Sequence, residues 1–182
     1  MMSQKDEMHW FPMRVTYRRE FKVKDALESM DIECFVPMQY QWVGQPGNEK
    51  KMLVPAIHNL IFVRSTQETL TTLKMTRPEF EPMRYIMQPS AQGKKEIMVV
   101  PDRQMDNFLK VAQVQDDSVM FLEYSDFIRK VGKKVRIKAG TFAGVEGTIK
   151  RIKNNRHVVV QIEGVAAVAI TFVPPALLEL IE

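Results

Sequence analysis

The 182-residue chain is long enough for one medium domain or two small ones, and its 45% hydrophobic content excludes a disordered arm. The single cysteine, Cys34, excludes an internal disulfide framework and suits a reducing compartment. Residues 128–182 carry ten Lys or Arg against four Asp or Glu, whereas residues 1–127 carry sixteen against eighteen. The start lacks an apolar signal core, and the longest apolar run, Val165–Val173, is too short to span a bilayer. We therefore expect a cytoplasmic protein with no membrane contact.

The first third of the chain has an alternating strand and helix pattern. Met8–Tyr17 is predicted as a strand, in which Pro12 favours an edge or a bulge. Apolar residues three and four apart predict a helix over 18–30, followed by a short strand at Cys34–Pro37. Gly, Pro and Asn are frequent in Gln39–Pro55, which predicts a turn-rich excursion ending in a hairpin tip.

The middle of the chain continues the pattern. Ile57–Val63 is predicted as a buried strand. Ser65, with Glu68 three residues later, fits a capping box that opens a helix ending before Pro78. Further strands are expected at 85–87 and 97–100.

A last helix of this part is expected to begin at Asp102, which would cap it. Its predicted buried face consists of Met105, Phe108, Leu109 and Ala112. The predicted division is an N-terminal domain over 1–118, a linker over 119–127 and a C-terminal domain over 128–182.

The C-terminal part reads as a small twisted β-structure. Val135 and Ile137 alternate with basic residues, as in a strand with one buried face. Three glycines at 140, 144 and 147 then permit positive φ or a bulge. A strand resumes at Thr148, a tight turn is expected at Asn154-Asn155, and Val158, Val160 and Ile162 return on the partner strand.

This order of basic strand, glycine loop, strand, turn and strand over Val131–Ile162 resembles a KOW motif. The resemblance implies an SH3-like β-barrel of the kind found in transcription elongation factors and some ribosomal proteins. The basic excess has two interpretations at this point. It is either a solvated strand face or a contact with RNA, DNA or a ribonucleoprotein surface.

Over nearly the whole chain, the α+β pattern followed by a KOW barrel resembles the NusG family of transcription elongation factors. WFPMR at Trp10–Arg14 is similar to the family's aromatic opening strand, and FVP at Phe35–Pro37 to the end of its second strand. TFAGVEG at Thr141–Gly147 is similar to its glycine–aromatic loop. The resemblance implies an α+β fold, with an N-terminal antiparallel sheet flanked by helices and the C-terminal barrel.

One departure from the housekeeping members concerns the strand that begins at Ile57. Those members carry a Phe-Pro-Gly-Tyr-Val run where this chain has Ile-His-Asn-Leu-Ile. This departure, with a short helix segment after it, resembles the specialised paralogues of the RfaH and UpxY kinds.

The resemblance implies a factor that binds RNA polymerase at the clamp helices of its largest subunit, bridges the cleft and suppresses pausing or termination. The side chains expected to support or line the polymerase-binding concavity are Trp10, Phe11, Leu60 and Phe62. Strand alternation would send about half of them into the core. Tyr17 and Arg18 are further expected surface contacts, and Lys50 and Lys51 are expected near nucleic acid, with a solvated hairpin as the alternative.

The resemblance also implies a second partner for the KOW domain, either Rho or a ribosomal protein. Phe142 is the expected exposed anchor in the glycine loop, with a plug in the barrel mouth as the alternative. Ile170 and Phe172 either extend that patch or belong to the core.

The sequence does not favour an enzyme. His9, His58 and His157 form no metal-spaced pair, and no phosphate-cradling glycine loop occurs. We expect a monomer without cofactor or metal. A second hypothesis stays open: an RNA- or ribosome-binding KOW protein whose N-terminal domain only positions it. A basic aromatic stacking face on that domain would favour this alternative.

Overall fold

A computed structural model describes residues 7–123 and 132–181 of the chain. The chain divides into two compact units. The first comprises Met1–Pro37 and Ile57–Asp102, and the second comprises Met38–Ala56 and Arg103–Glu182. The predicted boundary between linker and C-terminal domain, at residues 127 and 128, lies outside the described residues.

The described residues contain three α-helices and fourteen strands. The helices are α1 (Glu20–Glu28), α2 (Gln67–Thr76) and α3 (Asp102–Ala112). The strands are β1 (His9–Val15), β2 (Cys34–Phe35), β3 (Met38–Gln45), β4 (Asn48–Pro55), β5 (Leu60–Ser65), β6 (Met83–Tyr85), β7 (Met87–Pro89), β8 (Lys95–Ile97), β9 (Val119–Phe121), β10 (Lys134–Ile137), β11 (Glu146–Ile152), β12 (Asn155–Ile162), β13 (Ala166–Ile170) and β14 (Leu178–Leu180). Short 3-10 turns lie at Thr16–Arg18, Pro78–Phe80 and Pro175–Leu177.

The first unit is built on an antiparallel sheet with the order β2-β5-β1-β6. Its two interior strands, β1 and β5, are buried along nearly their whole length. Pro12 was expected at an edge or a bulge, yet β1 is an interior strand. This is tolerated because β6 pairs only with Met13–Val15, so the missing N–H of Pro12 lies outside that ladder.

Helix α1 packs against this sheet, because Val23 and Leu27 project from one of its faces and are fully buried. Helix α2 begins one residue later than the predicted capping box implies. Thr66, not Ser65, is its N-cap, and the Thr66 hydroxyl accepts a 3.0 Å hydrogen bond from the Thr69 N–H. Ser65 is instead buried as the last residue of β5.

The turn-rich excursion proves to be a regular β-hairpin in the second unit. Strands β3 and β4 pair over eight residues each, from Met38 opposite Pro55 to Gln45 opposite Asn48. Pro46 and Gly47 make the two-residue turn, in which Gly47 has φ +86°. The hairpin is therefore far longer than the predicted tip.

The C-terminal part of the second unit is a six-stranded antiparallel sheet with the order β14-β10-β11-β12-β13-β9. Residues 119–121, which were assigned to the linker, form its edge strand β9 and pair with β13. The turn between β11 and β12 lies at Lys153-Asn154, one residue before the predicted position, and both residues have positive φ. Among the described strands no ladder joins β14 to β9, so the sheet is open there and the SH3-like barrel stays a prediction.

Candidate functional site

The junction between β1 and α1 exposes an aromatic and a basic residue on a strained backbone. Tyr17 has φ 62° and ψ 29°, and Arg18 has φ 52°. This left-handed region disfavours residues with a Cβ, and for a bulky side chain such as tyrosine it is a genuine outlier. The Tyr17 side chain is nevertheless 82% exposed. Burial of the Tyr17 side chain therefore contributes little free energy that would offset the backbone strain.

Hydrogen bonds on both sides fix this junction in place. The Val15 N–H donates to the Asn59 carbonyl at 3.0 Å, and the Thr16 N–H donates to the Pro82 carbonyl at 3.1 Å. The Asn59 N–H donates to the carboxylate of Glu20, which is buried in the first turn of α1. Strain of this kind persists only where the surrounding structure imposes it, and it often marks a functional position.

The surface around the junction is both basic and apolar. Arg19 and Lys22 are exposed, and the Arg19 guanidinium lies 5.6 Å from the centroid of the Tyr17 ring. Phe21, the second residue of α1, is also exposed. We name the exposed residues Tyr17, Arg18 and Phe21 the junction patch. It offers a protruding aromatic and a permanent cation, the residue types most enriched at the energetic centres of protein interfaces.

Four other predicted polymerase-binding residues are buried. Trp10 and Phe11 of β1, and Leu60 and Phe62 of β5, all have less than 4% of their surface exposed. Strand alternation predicted that half would face outward, but both faces of these interior strands are covered. In this structure the four side chains do not form an open apolar groove.

The β3–β4 hairpin carries the residues expected near nucleic acid. Lys50 and Lys51 are both exposed on β4. Two exposed aromatic residues of β3 were not predicted: Trp42, which lies opposite Lys51, and Tyr40, which lies opposite Leu53. Their alternation with Gln39 and Gln41 was the available signal, because it places both rings on one face of a strand.

The predicted KOW-partner residues differ widely in exposure. Ile170 is fully buried in β13, where it pairs with Val158 of β12. Phe142 is only 9% exposed, which agrees with the alternative in which its ring fills the interior, not with an exposed anchor. Phe172, just after β13, is 75% exposed. It is the one residue of the three that lies free for a partner.

Helix α3 makes polar contacts with the glycine loop and with the strands beside it. The Asn107 side-chain oxygen accepts a 3.1 Å hydrogen bond from the Glu146 N–H, and Gln104 donates to the Gln161 carbonyl at 3.1 Å. Lys110 donates to the carbonyl of Ala143, next to Phe142. These contacts hold the loop from one side.

The carboxylate of Glu146 joins α3 to the sheet of the second unit. Arg136 on β10 donates to it at 2.7 Å and Arg103 on α3 at 2.5 Å. The hydrogen bond from Arg136, followed by that from Arg103, holds the pKa of Glu146 below its ordinary value. This carboxylate is therefore ionised over the physiological range.

The chemistry of the remaining reactive groups is unremarkable. Burial raises the pKa of the Cys34 thiol to about 11, so a reactive thiolate is not formed there at neutral pH. Within residues 7–123 and 132–181, no three His, Cys, Asp or Glu side chains are grouped closely enough to hold a metal ion. In the same residues, no helix has the length and apolar content needed to cross a bilayer.

Comparison with protein families gives two matches. Residues 8–109 match the NusG family, described as transcription termination factor nusG, and residues 131–163 match the KOW motif. The two matched segments follow one another in the order predicted from the sequence. No curated protein shows significant similarity to the chain.

The NusG match covers more than half of the chain and contains the junction patch, the buried strands β1 and β5, and the hairpin. The NusG family consists of non-enzymatic transcription elongation and termination factors that typically bind RNA polymerase, and KOW domains bind ribosomal or nucleic-acid partners. The chain belongs to the NusG family of transcription factors.

Proposed function

We propose that this protein is a non-catalytic bacterial elongation and antitermination factor that binds the clamp helices of RNA polymerase through its first unit. The junction patch carries this proposal. Tyr17 and Arg18 are exposed, and the backbone beneath them is strained and fixed by hydrogen bonds to Asn59 and Pro82. Because the backbone of Tyr17 and Arg18 is already fixed, little of it has to be ordered when a partner binds. The entropy cost of binding is therefore lower.

In this proposal, Trp10, Phe11, Leu60 and Phe62 act indirectly. They are core residues that hold β1 and β5 together, and β1 leads directly into the junction. Their effect on polymerase binding is to keep the junction patch in place. Stabilising the closed, processive polymerase over its paused form requires only that the factor bind the closed form more tightly.

The second unit recruits a further partner, a ribosomal protein or Rho. We propose that its C-terminal sheet belongs to an SH3-like barrel, with Phe172 as the anchor because it is the exposed aromatic beside β13. Phe142 and Ile170 support that surface from within. The departure from the housekeeping sequence at Ile57 supports a specialised paralogue of the RfaH or UpxY kind, acting as a monomer in the cytoplasm.

One observation keeps an RNA- or ribosome-binding function as a second candidate. The C-terminal sheet exposes much of its basic excess on its surface and in its turns. These exposed residues are Lys133, Lys134, Lys138, Arg151, Lys153 and Arg156. Such a surface would bind RNA phosphates with an affinity that falls steeply with salt.

Polymerase capture by the full-length protein tests the first candidate. Tyr17→Ser with Arg18→Ser should weaken capture of purified polymerase by about tenfold or more, as expected for a hot-spot aromatic. Met75→Ser is the matched control, because Met75 is an equally exposed apolar residue on α2. Unchanged capture by the double variant would remove the junction patch from the interface. Capture of ribosomal RNA in place of polymerase would favour the second candidate.

A further inference from the structure

One edge of the C-terminal sheet is covered by a short strand from the segment that was expected to be a linker. Strand β9 is the outermost of the described strands on that side, and it pairs with β13. The ladder continues by one hydrogen bond at each end. The Leu122 N–H donates to the Ala167 carbonyl at 3.0 Å, and the Thr171 N–H donates to the Ser118 carbonyl at 2.9 Å. We name residues 118–122 the resident strand.

Two apolar side chains of the resident strand lie above two alanines of β13. Residues directly opposite in an antiparallel pair project to the same face. Met120 lies opposite Ala169, and the hydrogen bond to Ala167 places Leu122 opposite that residue in the same ladder. Because alanine carries only a methyl group, a larger side chain can pack directly above it. Met120 packs against a buried cluster that contains Leu122, Ile152, Val159, Ala167 and Ala169.

The resident strand is bound much less firmly than the strand on which it lies. Strand β9 is three residues long, and its side chains are only half-buried. A short strand with few buried side chains opens locally at a lower free energy than the whole domain. Strand β13 is buried at all five of its residues and is also paired with β12. We therefore expect β9 to open while β13 stays in place.

Opening of the resident strand presents an edge that suits another extended peptide. The outward N–H and C=O groups of β13 then lack partners, and such an edge accepts a strand from another chain. Ala167 and Ala169 add selectivity for side chains, because they accept two apolar groups at positions separated by one residue. Phe172, the proposed anchor for the second partner, comes two residues after β13. The edge is therefore continuous with that proposed interface.

We propose that the edge of β13 binds an extended apolar segment of a partner protein, which displaces the resident strand and places two apolar side chains over Ala169 and Ala167. The resident strand then regulates the second unit, because the partner must compete with it. The inference rests on the proposed recruitment of a second partner. It adds the mode of binding, which is antiparallel strand addition, and the segment that controls it.

A different protein fits this edge better than a second copy of the chain. A second copy offers the same apolar pattern as the resident strand. The resident strand has the advantage of being tethered beside its site, which gives it a high effective concentration. Only a segment that binds more tightly than Val119–Phe121 and its neighbours displaces it.

Fluorescence anisotropy with the full-length protein and a labelled peptide tests the site. The probe is DDSVMFLE, the sequence of residues 116–123. Met120→Ser with Leu122→Ser, the released variant, weakens the resident strand. It should bind the probe about tenfold or more tightly than the wild type does, because a larger fraction of its molecules is open. Equal affinity of the wild type and the released variant for the probe would overturn the proposal.

Two controls test the side-chain pattern. The peptide DDSVSFSE lacks both apolar side chains and should bind neither protein. Asp117→Ser changes an exposed residue just before the resident strand, so its affinity for the probe should equal that of the wild type. Circular dichroism verifies that each variant is folded. Equal binding of the two peptides would overturn the assignment of the alanines as the selective part of the site.

A cross-link provides the opposite change. Phe121 lies opposite Val168 in a pair next to the hydrogen-bonded one, where side chains approach most closely. Phe121→Cys with Val168→Cys, added to the released variant in a Cys34→Ser background, should lock the strand by a disulfide. The oxidised protein should lose the probe and the reduced protein should regain it. Equal binding in both redox states would overturn displacement.

Amide hydrogen exchange tests local opening in the wild type, without any substitution. The Leu122 and Thr171 amides join the resident strand to β13. They should exchange at least about tenfold faster than the Val160 amide of β12, because local opening releases them before global unfolding does. Equal exchange rates would contradict a displaceable strand.

The remaining outcomes separate this site from other occupants and from the proposed function. A released variant that dimerises in sedimentation and does not bind the probe would make the edge a site for a second copy and overturn the proposal. Tyr17→Ser with Arg18→Ser, added to the released variant, should leave binding of the probe unchanged. Probe binding by the released variant, with neither ribosomal protein nor Rho bound by the wild type, would support the site and remove those two partners.

Discussion

At the scale of single residues, the protein combines buried aromatic residues with a few exposed ones in strained or projecting positions. Trp10, Phe11 and Phe62 are committed to the core, whereas Tyr17, Trp42 and Phe172 are exposed. An exposed aromatic ring contributes little to folding, whereas tyrosine and tryptophan are enriched among the residues that dominate binding energy at interfaces.

Tyr17→Gly should separate folding from binding. Glycine adopts positive φ without a Cβ clash, so relief of strain on the order of 1–3 kcal/mol offsets the roughly 0.5–1 kcal/mol of added chain entropy. We expect the free energy of unfolding in urea to stay the same or rise, while polymerase capture weakens. A clear loss of stability would show that the tyrosine side chain serves the fold.

Leu60→Asp should fail to fold, because it places a charge without a partner at a fully buried position of β5. The milder Leu60→Ala should lower the free energy of unfolding by about 2–5 kcal/mol. Circular dichroism shows whether Leu60→Asp folds, and urea unfolding monitored by circular dichroism measures the stability of Leu60→Ala. A soluble, native-like Leu60→Asp protein that fails to bind polymerase would instead place Leu60 at the interface.

Phe172→Ala should leave the fold intact and reduce binding of the second partner by about tenfold or more if the ring is a hot spot. Phe142→Ala is the comparison, because its ring is buried and its removal should cost about 3–5 kcal/mol of stability. Calorimetry measures binding to purified ribosomal protein and to Rho, and urea unfolding measures the stability of each variant. A loss of stability in Phe172→Ala, with partner binding unchanged, would contradict the assignment of Phe172 to binding and of Phe142 to the core.

At the scale of elements, most helices and strands were predictable where one face alone is buried. Helix α3 has Asp102, the predicted cap, as its first residue. Of its predicted buried face, Met105, Phe108 and Ala112 are buried at helical spacing, whereas Leu109 is only half-buried. The hairpin was underestimated because both of its faces are exposed, so its strands lack the buried apolar face from which a strand is usually predicted. The strand containing Leu60 was correctly predicted as buried, but the covering of both its faces was not visible, since it is decided by packing distant in sequence.

Element ends depend on single hydrogen bonds, which composition does not reveal. Thr66→Ala should lower the free energy of unfolding by about 1 kcal/mol, because it removes the acceptor that caps α2. Glu68→Ala tests the predicted capping box and should have a smaller effect, since Ser65 is buried in β5 and is not the cap. A larger loss in Glu68→Ala than in Thr66→Ala would favour the capping box.

The contact between α3 and the C-terminal sheet should depend on pH. Because the pKa of Glu146 is lowered in the folded protein, its contribution to stability is present above the ordinary glutamate value of about 4.3 and is lost as the pH falls through the lowered pKa. The stability difference between wild type and Glu146→Gln should therefore be larger at pH 7 than below pH 4. A difference independent of pH would exclude the ion pairs as its source.

At the scale of the whole molecule, the order of a NusG segment and a KOW motif was predictable because each carries its own residues: WFPMR and FVP in the first, TFAGVEG in the second. The site was only partly predictable. Tyr17 and Arg18 stand out by their place at a strand-to-helix junction, but their exposure and strain arise from hydrogen bonds to residues 59 and 82, far away in sequence.

Transcription with purified polymerase on a template carrying a pause site and a terminator tests the central claim most directly. The wild-type protein and the Met75→Ser control should shorten the pause and increase read-through of the terminator. Tyr17→Ser with Arg18→Ser should lose both effects at the same protein concentration, while remaining folded. If the wild type leaves pause duration and read-through unchanged, or if the double variant acts like the wild type, the account of a polymerase-bound antiterminator acting through the junction patch is contradicted.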